Sequence, residues 1–135
     1  MAVGLVIVSH SARLAEGVVE LAGQMAQADV RLVAAGGTDD GGLGTSLTKV
    51  MNALVAADAA DGVVVLVDLG SAGLIAEMAL EQLPDWRRER VRIANAPLVE
   101  GAVVAAVQAS VGGTLDEVVA TAEEAATLDK LAGKK

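Results

Sequence analysis

The sequence predicts an α/β fold, an open and mainly parallel β-sheet with helices on both faces. Three observations carry this. Short apolar runs rich in β-branched residues recur along the 135 residues. Segments whose apolar side chains follow helical spacing stand between them. Glycine-rich or polar turns separate the two kinds of segment.

Taken in order, Val3 to Val8 is apolar throughout and reads as a buried strand. Leu14, Val18, Leu21 and Met25 follow at steps of four, three and four, which predicts a helix with that apolar face. Val30 to Ala35 reads as the second strand. The stretch GGTDDGGLGTS, residues 36–46, fits no regular element and is a glycine-rich loop. Leu47, Val50, Met51, Leu54 and Val55 form the stripe of a second helix. Val63 to Val67 is the third strand, DLGS follows, and a helix over about Ala72 to Leu83 stops at Pro84. Arg90 to Ala94 predicts a fourth strand. Pro97 suits the first residue of the next helix, where a missing N–H costs nothing. TLDE, residues 114–117, is the capping-box signature of the last helix. Residues 128–135 are expected to fray. No linker or repeat divides the chain, so residues 1–135 are expected to form one domain.

Composition narrows the chemistry. Apolar residues make up 53%, with no Phe, no Tyr and the single Trp86, so the core is Val, Leu, Ile, Met and Ala. Small side chains let the layers approach closely. The absence of cysteine excludes disulfides, thiolate metal sites and thiol catalysis. One histidine, His10, cannot form an imidazole cluster, and no metal site is expected. A net charge of −8 argues against nucleic acid and suits a basic partner. No apolar stretch approaches the roughly 20 residues of a membrane span, and no secretion signal opens the chain. A cytoplasmic protein with no membrane contact is expected.

In open α/β sheets, sites lie at the carboxyl ends of the strands. Three loops are expected to meet there: Ser9-His10-Ser11, residues 36–46, and Asp68 to Ser71. In a common doubly wound order, the strands before His10 and Asp68 are neighbours. The carboxylate can then hold the proton on one ring nitrogen and leave the lone pair of the other pointing outward. Hydroxyls of Ser9, Ser11, Thr38 and Ser71 are close in sequence. Glycines 36, 37 and 70 let backbone N–H groups approach an anion. Helices after Ser11 and Ser71 would aim their N-termini at the same spot. An oriented imidazole in an anion cradle describes a nucleophile for phosphoryl transfer. Each part also has a simpler reading. A lone histidine can be a polar loop residue, Asp68, Ser11 and Ser71 can be helix caps, and the glycine stretch can be a flexible turn. Their meeting at matching strand ends favours the chemical reading. The chain has neither a Walker A loop nor G-x-G-x-x-G after the first strand, so it is not expected to bind a nucleotide by itself.

Four stretches, LVIVSHSARLAEGVVELAGQM, GGTDDGGLGTS, VVVLVDLGSAGLIAEMAL and NAPLVEGAVVAAV, resemble the DhaM family of dihydroxyacetone kinase phosphotransfer subunits. Its domain is similar to the mannose-type IIA domain of the bacterial sugar phosphotransferase system. The likeness runs over about residues 3–120, and DLGSA with APLVEGA is its most specific part. It implies the mannose-IIA type of α/β sandwich, commonly a homodimer. It also implies that a histidine, here His10, takes a phosphoryl group from the phosphohistidine carrier HPr. That group passes to ADP held in the subunit DhaL, and the ATP formed serves dihydroxyacetone on the subunit DhaK. The orienting carboxylate of the family falls on Asp68, and its phosphate contacts fall on Gly70 and Ser71. Ser11, Gly37 and Thr38 join them on geometric grounds. The resemblance implies no cofactor on this subunit, with magnesium and the nucleotide belonging to the partner. Larger family members carry further carrier-like and enzyme-I-like domains; this chain would rely on separate HPr and enzyme I.

Two other classes compete. Small tetrapyrrole metal chelatases also open with a strand followed by histidine and serine, but need further metal-binding groups. A receiver-like regulatory domain would be phosphorylated on Asp68, but needs an acidic pair where this chain has Ser-His-Ser. Phosphohistidine is lost in acid and survives base, whereas an acyl phosphate is lost in base.

Overall fold

The computed structural model describes residues 2–27 and 29–131. Its sheet has four strands in the order β2-β1-β3-β4, all parallel: β1 (Gly4–Ser9), β2 (Leu32–Gly36), β3 (Val63–Val67) and β4 (Val91–Ile93). Among the described residues six helices connect and flank them: α1 (Ala12–Gly23), α2 (Leu47–Ala57), α3 (Gly70–Glu81), α4 (Asp85–Arg88), α5 (Leu98–Ser110) and α6 (Leu115–Glu124). A 3₁₀ turn over Ala125–Thr127 follows α6.

Side chains alternate across a strand, so each face of the sheet gets its own core. Val3, Leu5, Ile7, Val64 and Leu66 pack under α1, α5 and α6. Val6, Val8, Val63 and Val65 pack under α2 and α3. The helices meet the sheet largely through alanine. Ala102, Ala105, Ala106 and Ala109 of α5 are buried on one face, and Ala72, Ala76 and Ala79 of α3 on the other. Such short side chains bring the helix backbones close to the strands, as the composition leads one to expect. Glycines in the strands allow the closest approaches: a Cβ at Gly4 would stand 2.1 Å from the Ala57 carbonyl oxygen, and one at Gly36 2.5 Å from that of Ser11.

The predicted elements are present, with several corrections. α1 buries Ala15, Val18 and Ala22, while Leu14, Leu21 and Met25 are exposed. The contact face is turned by about one residue, roughly 100°, from the expected leucine stripe, because the small residues let α1 sit down on the sheet. Val55 of α2 is exposed for the same reason, next to the buried Ala53, Leu54 and Ala57. β1 runs one residue past Val8, since Ser9 still pairs with Gly36. β2 starts at Leu32, where its pairing with Leu5 begins, and Val30 belongs to the preceding turn. β4 has three residues rather than five. α3 begins at Gly70, two residues before the expected start, and ends at Glu81. Pro97 is the N-cap of α5 and not its first residue, with an extended ψ of 137°. The single-turn α4 was not expected; it buries no side chain, so it leaves no apolar period to read. The capping box of α6 forms as predicted, between Thr114 and Glu117. Of the tail expected to fray, residues 128–131 follow the 3₁₀ turn outside any helix, and residues 132–135 lie outside the described residues.

Candidate active site at the carboxyl ends of β1 and β3

β1 and β3 lie side by side in the middle of the sheet, with their carboxyl ends at the same edge. The connection after β1 leads to one neighbour in the sheet, β2, and the connection after β2 crosses over to the other, β3. The crevice between them is the switch point at which open α/β sheets bind their ligands. The last residue of β1 is Ser9, followed by His10. The residue after β3 is Asp68, whose amide still donates to the Val8 carbonyl at 3.1 Å. Sheet register alone therefore sets histidine and aspartate side by side.

Four donors converge on the Asp68 carboxylate. Oδ1 accepts from His10 Nδ1 at 3.0 Å and from the Leu69 amide at 2.7 Å. Oδ2 accepts from the His10 amide and from the Ser9 hydroxyl, both at 2.9 Å. Burial opposes charge on this carboxyl. The His10 amide, the His10 ring, the Ser9 hydroxyl and the Leu69 amide together outweigh it and hold the group below its ordinary value. Asp68 is thus an anion at neutral pH, 11% exposed, gripped by both the backbone and the ring of His10.

The anion fixes the tautomer. With the proton on Nδ1 and directed at Asp68, Nε2 keeps its lone pair. The ring is 27% exposed. Nε2 meets the Ser71 hydroxyl at 2.8 Å, which in this tautomer is the donor. Ser71 is the second residue of α3, so the site sits at that helix's N-terminus. The amides of Gly70 and Ser71 belong to the first turn, which leaves them without an intrahelical partner. α1 starts just after His10, with Ser11 as N-cap accepting from Leu14 N at 3.2 Å. The hydroxyl hydrogen of Ser11 remains available to a further acceptor.

The expected cast thus divides. Hydrogen bonds bring His10, Asp68 and Ser71 together, with Gly70 next to Ser71 at the start of α3 and Ser11 next to His10 at the start of α1. Asp68 does not cap α3, whose N-cap is Leu69, and Ser71 lies inside that helix rather than capping it. Gly37 and Thr38, in the loop after β2, are committed to other partners. Gly37 N donates to the Ser9 carbonyl at 3.2 Å and Thr38 N to the Gly42 carbonyl at 3.0 Å, while the Thr38 hydroxyl donates to Asp40. Gly37 is needed there for its φ of +77°. The same loop holds His10 from behind, through Gly44 N on the His10 carbonyl at 2.8 Å. Sequence reasoning did not single out Gly44 or the Leu69 amide, because backbone donors leave no mark in a sequence.

Comparison with known proteins adds an independent line. The EIIA-man family profile, described as "PTS system fructose IIA component", matches residues 4–119. The chain is 48% identical over 120 residues to the "PEP-dependent dihydroxyacetone kinase, phosphoryl donor subunit DhaM" of Escherichia coli (strain K12). That match covers 87% of this chain and 25% of the relative. A shorter relative, the "PEP-dependent dihydroxyacetone kinase 2, phosphoryl donor subunit DhaM" of Listeria innocua serovar 6a, is 39% identical over 109 residues. It is matched over 87% of its length and 81% of this chain. The chain therefore spans about a quarter of the longer relatives and most of the shorter one. Among solved structures, a protein of unknown function superposes with a TM-score of 0.83 at 34% identity, over 92% of this chain and 95% of that one. The mannose/sorbose specific IIA subunit from Enterococcus faecalis superposes with a TM-score of 0.55 at 22% identity, over 100% of this chain and 95% of its own, a likeness of fold.

Proposed function

The chain belongs to the EIIA-man family, in its branch of DhaM phosphoryl donor subunits of dihydroxyacetone kinase, and from that membership we propose that it carries a phosphoryl group on Nε2 of His10. The observation that carries the reading is the opposed pair of ring contacts: Nδ1 held by the Asp68 anion, Nε2 turned to the N-terminus of α3.

The donor is phospho-HPr. The Ser71 hydroxyl swings off Nε2, and the lone pair of Nε2 forms a bond to phosphorus in line with the donor's N–P bond. That bond breaks, and its electron pair returns to the donor ring. Positive charge develops on the His10 ring, where the Asp68 carboxylate faces it. The freed Ser71 hydroxyl, the amides of Gly70 and Ser71 and the Ser11 hydroxyl take up the charge of the phosphoryl oxygens. The acceptor is ADP bound in DhaL. A terminal oxygen of ADP attacks phosphorus, the N–P electrons return to Nε2, and ATP forms for dihydroxyacetone on DhaK. This chain needs no cofactor of its own, and magnesium travels with the nucleotide on the partner. The relay runs in the cytoplasm.

Incubation with enzyme I, HPr and labelled phosphoenolpyruvate tests the reading. The chain becomes labelled, and His10→Ala, with unchanged circular dichroism, takes up none. Equal labelling of that variant refutes it.

A further inference from the structure

Ser9 is a fully buried hydroxyl, 0% exposed, at the end of a strand that is otherwise Gly-Leu-Val-Ile-Val. Nothing in the packing of β1 asks for it. The backbone of Ser9 is already satisfied by pairing with Gly36 and by Gly37 N on its carbonyl. A buried hydroxyl is unfavourable unless both its donor and its acceptor are used, and here both are. Oγ accepts from the Ser11 amide at 3.0 Å, and its single hydrogen goes to Asp68 Oδ2 at 2.9 Å.

We propose that Ser9 is a positioning residue of the phosphotransfer site, whose hydroxyl ties the N-terminus of α1 to the Asp68 carboxylate and so keeps the proton of His10 on Nδ1. The argument is one of geometry. A carboxylate on a freely turning side chain presents either edge to an imidazole. At Oδ2 two donors, the Ser9 hydroxyl and the His10 amide, face the same oxygen and leave no place for a proton there. The carboxylate plane is then fixed, and Oδ1 must point at Nδ1. With Ser11 N as its obligatory donor, the Ser9 hydroxyl can satisfy itself only by donating onward to an ionised Asp68. Ser9 touches neither a ring nitrogen nor, on this account, the phosphoryl group; it acts through Asp68 alone.

The inference rests on the phosphotransfer reading, but its test has a part that does not. Ser9→Ala and Ser9→Thr are compared with wild type, the second restoring a hydroxyl at the same position. Three readouts apply: the Asp68 carboxyl titration by carbon-13 NMR, the Nδ1–H tautomer fraction of His10 by nitrogen-15 NMR, and phosphoryl uptake from phospho-HPr. In Ser9→Ala the Asp68 midpoint rises, the Nδ1–H fraction falls, and maximal uptake drops by about tenfold, the worth of one hydrogen bond to a charged group. The half-saturating phospho-HPr concentration does not change, because the docking surface is intact. Ser9→Thr recovers all three. An unmoved Asp68 titration and tautomer in a folded Ser9→Ala overturn the proposal, whatever the uptake. So does an uptake defect shared by the alanine and threonine variants without either spectroscopic change, which marks Ser9 as packing only. Should Ser9→Ala not fold, Ser9→Cys, close in size with a much weaker donor, replaces it under the same criteria. If wild type itself takes up no phosphoryl group, the functional reading fails, and the two NMR measurements still decide whether Ser9 sets the tautomer.

Discussion

Asp68 does two things for His10 that a neutral carboxamide cannot do together. As an anion it accepts at both oxygens, and all four groups around it are donors. In Asp68→Asn one of those positions becomes an NH₂ group facing an N–H or O–H donor. If the NH₂ lies toward Nδ1, it imposes the other tautomer and places the proton on Nε2, where phosphorus should bond. Asp68→Asn is expected to slow phosphoryl uptake by on the order of 10²–10⁴-fold, and Asp68→Ala to slow it without abolishing it; rapid-quench uptake from phospho-HPr measures both. Stability follows the same group. Its folded pKa is depressed, so the native state binds fewer protons than the unfolded chain near the ordinary carboxylate pKa of about 3.9. The stabilisation is full above that value and is lost as pH falls through the lower folded value. Urea unfolding at pH 7 and below pH 4 should show the gap between wild type and Asp68→Asn narrowing in acid. A gap independent of pH contradicts this. His10 and Asp68 were legible because each is a polar residue just after an apolar strand, and Ser71 because it stands in the DLGS stretch that follows one; polarity there has few uses. Gly37 and Thr38 also follow a strand, but Gly37 N is spent on the Ser9 carbonyl and Thr38 within its own loop, which depends on a backbone path that no spacing encodes.

At the scale of elements, the meeting of β2 with the start of α1 places Ser11 and His10. Gly36 makes it possible: a Cβ there would come within 2.8 Å of Ala12 Cα, as well as closing on the Ser11 carbonyl. Both are backbone atoms and cannot swing away. Gly36→Ala is expected to cost about 1–3 kcal/mol and to slow phosphoryl uptake, because the N-terminus of α1 must shift. Gly17 is the contrasting case, an exposed glycine in the interior of α1 with nothing within 4 Å of an added Cβ. Gly17→Ala is expected to stabilise by about 0.5–1 kcal/mol with uptake unchanged. Chemical denaturation of the two variants checks the opposite signs. The strands were legible because continuous runs such as Val63 to Val67 have no other home than a doubly covered sheet. The orientation of α1 was not. Spacing singles out the largest side chains, but an alanine-lined helix docks by the residues that let it come nearest, Ala15 and Ala22.

The whole molecule leaves apolar side chains uncovered on both sides of the sheet, Val55, Leu74 and Met78 on α2 and α3 as well as others on α1 and α5. α1 and α5 pack against each other, and Leu21 on α1, Met25 in the turn after it, Val107 on α5 and Val111 in the turn after that helix stand exposed. The homodimer that the family resemblance leads one to expect would cover part of this apolar surface. Sedimentation equilibrium tests it: a dimer supports the expectation, and a monomeric wild type removes it. Phosphoryl transfer itself is asked only of the His10 edge of the sheet, and it can be tested without knowing the assembly. The most direct measurement maps the phosphoryl group after incubation with enzyme I, HPr and phosphoenolpyruvate, by mass spectrometry together with acid and base lability. The account predicts a single modification on His10, lost in acid and stable in base. A base-labile modification on Asp68, or none on either residue, contradicts it.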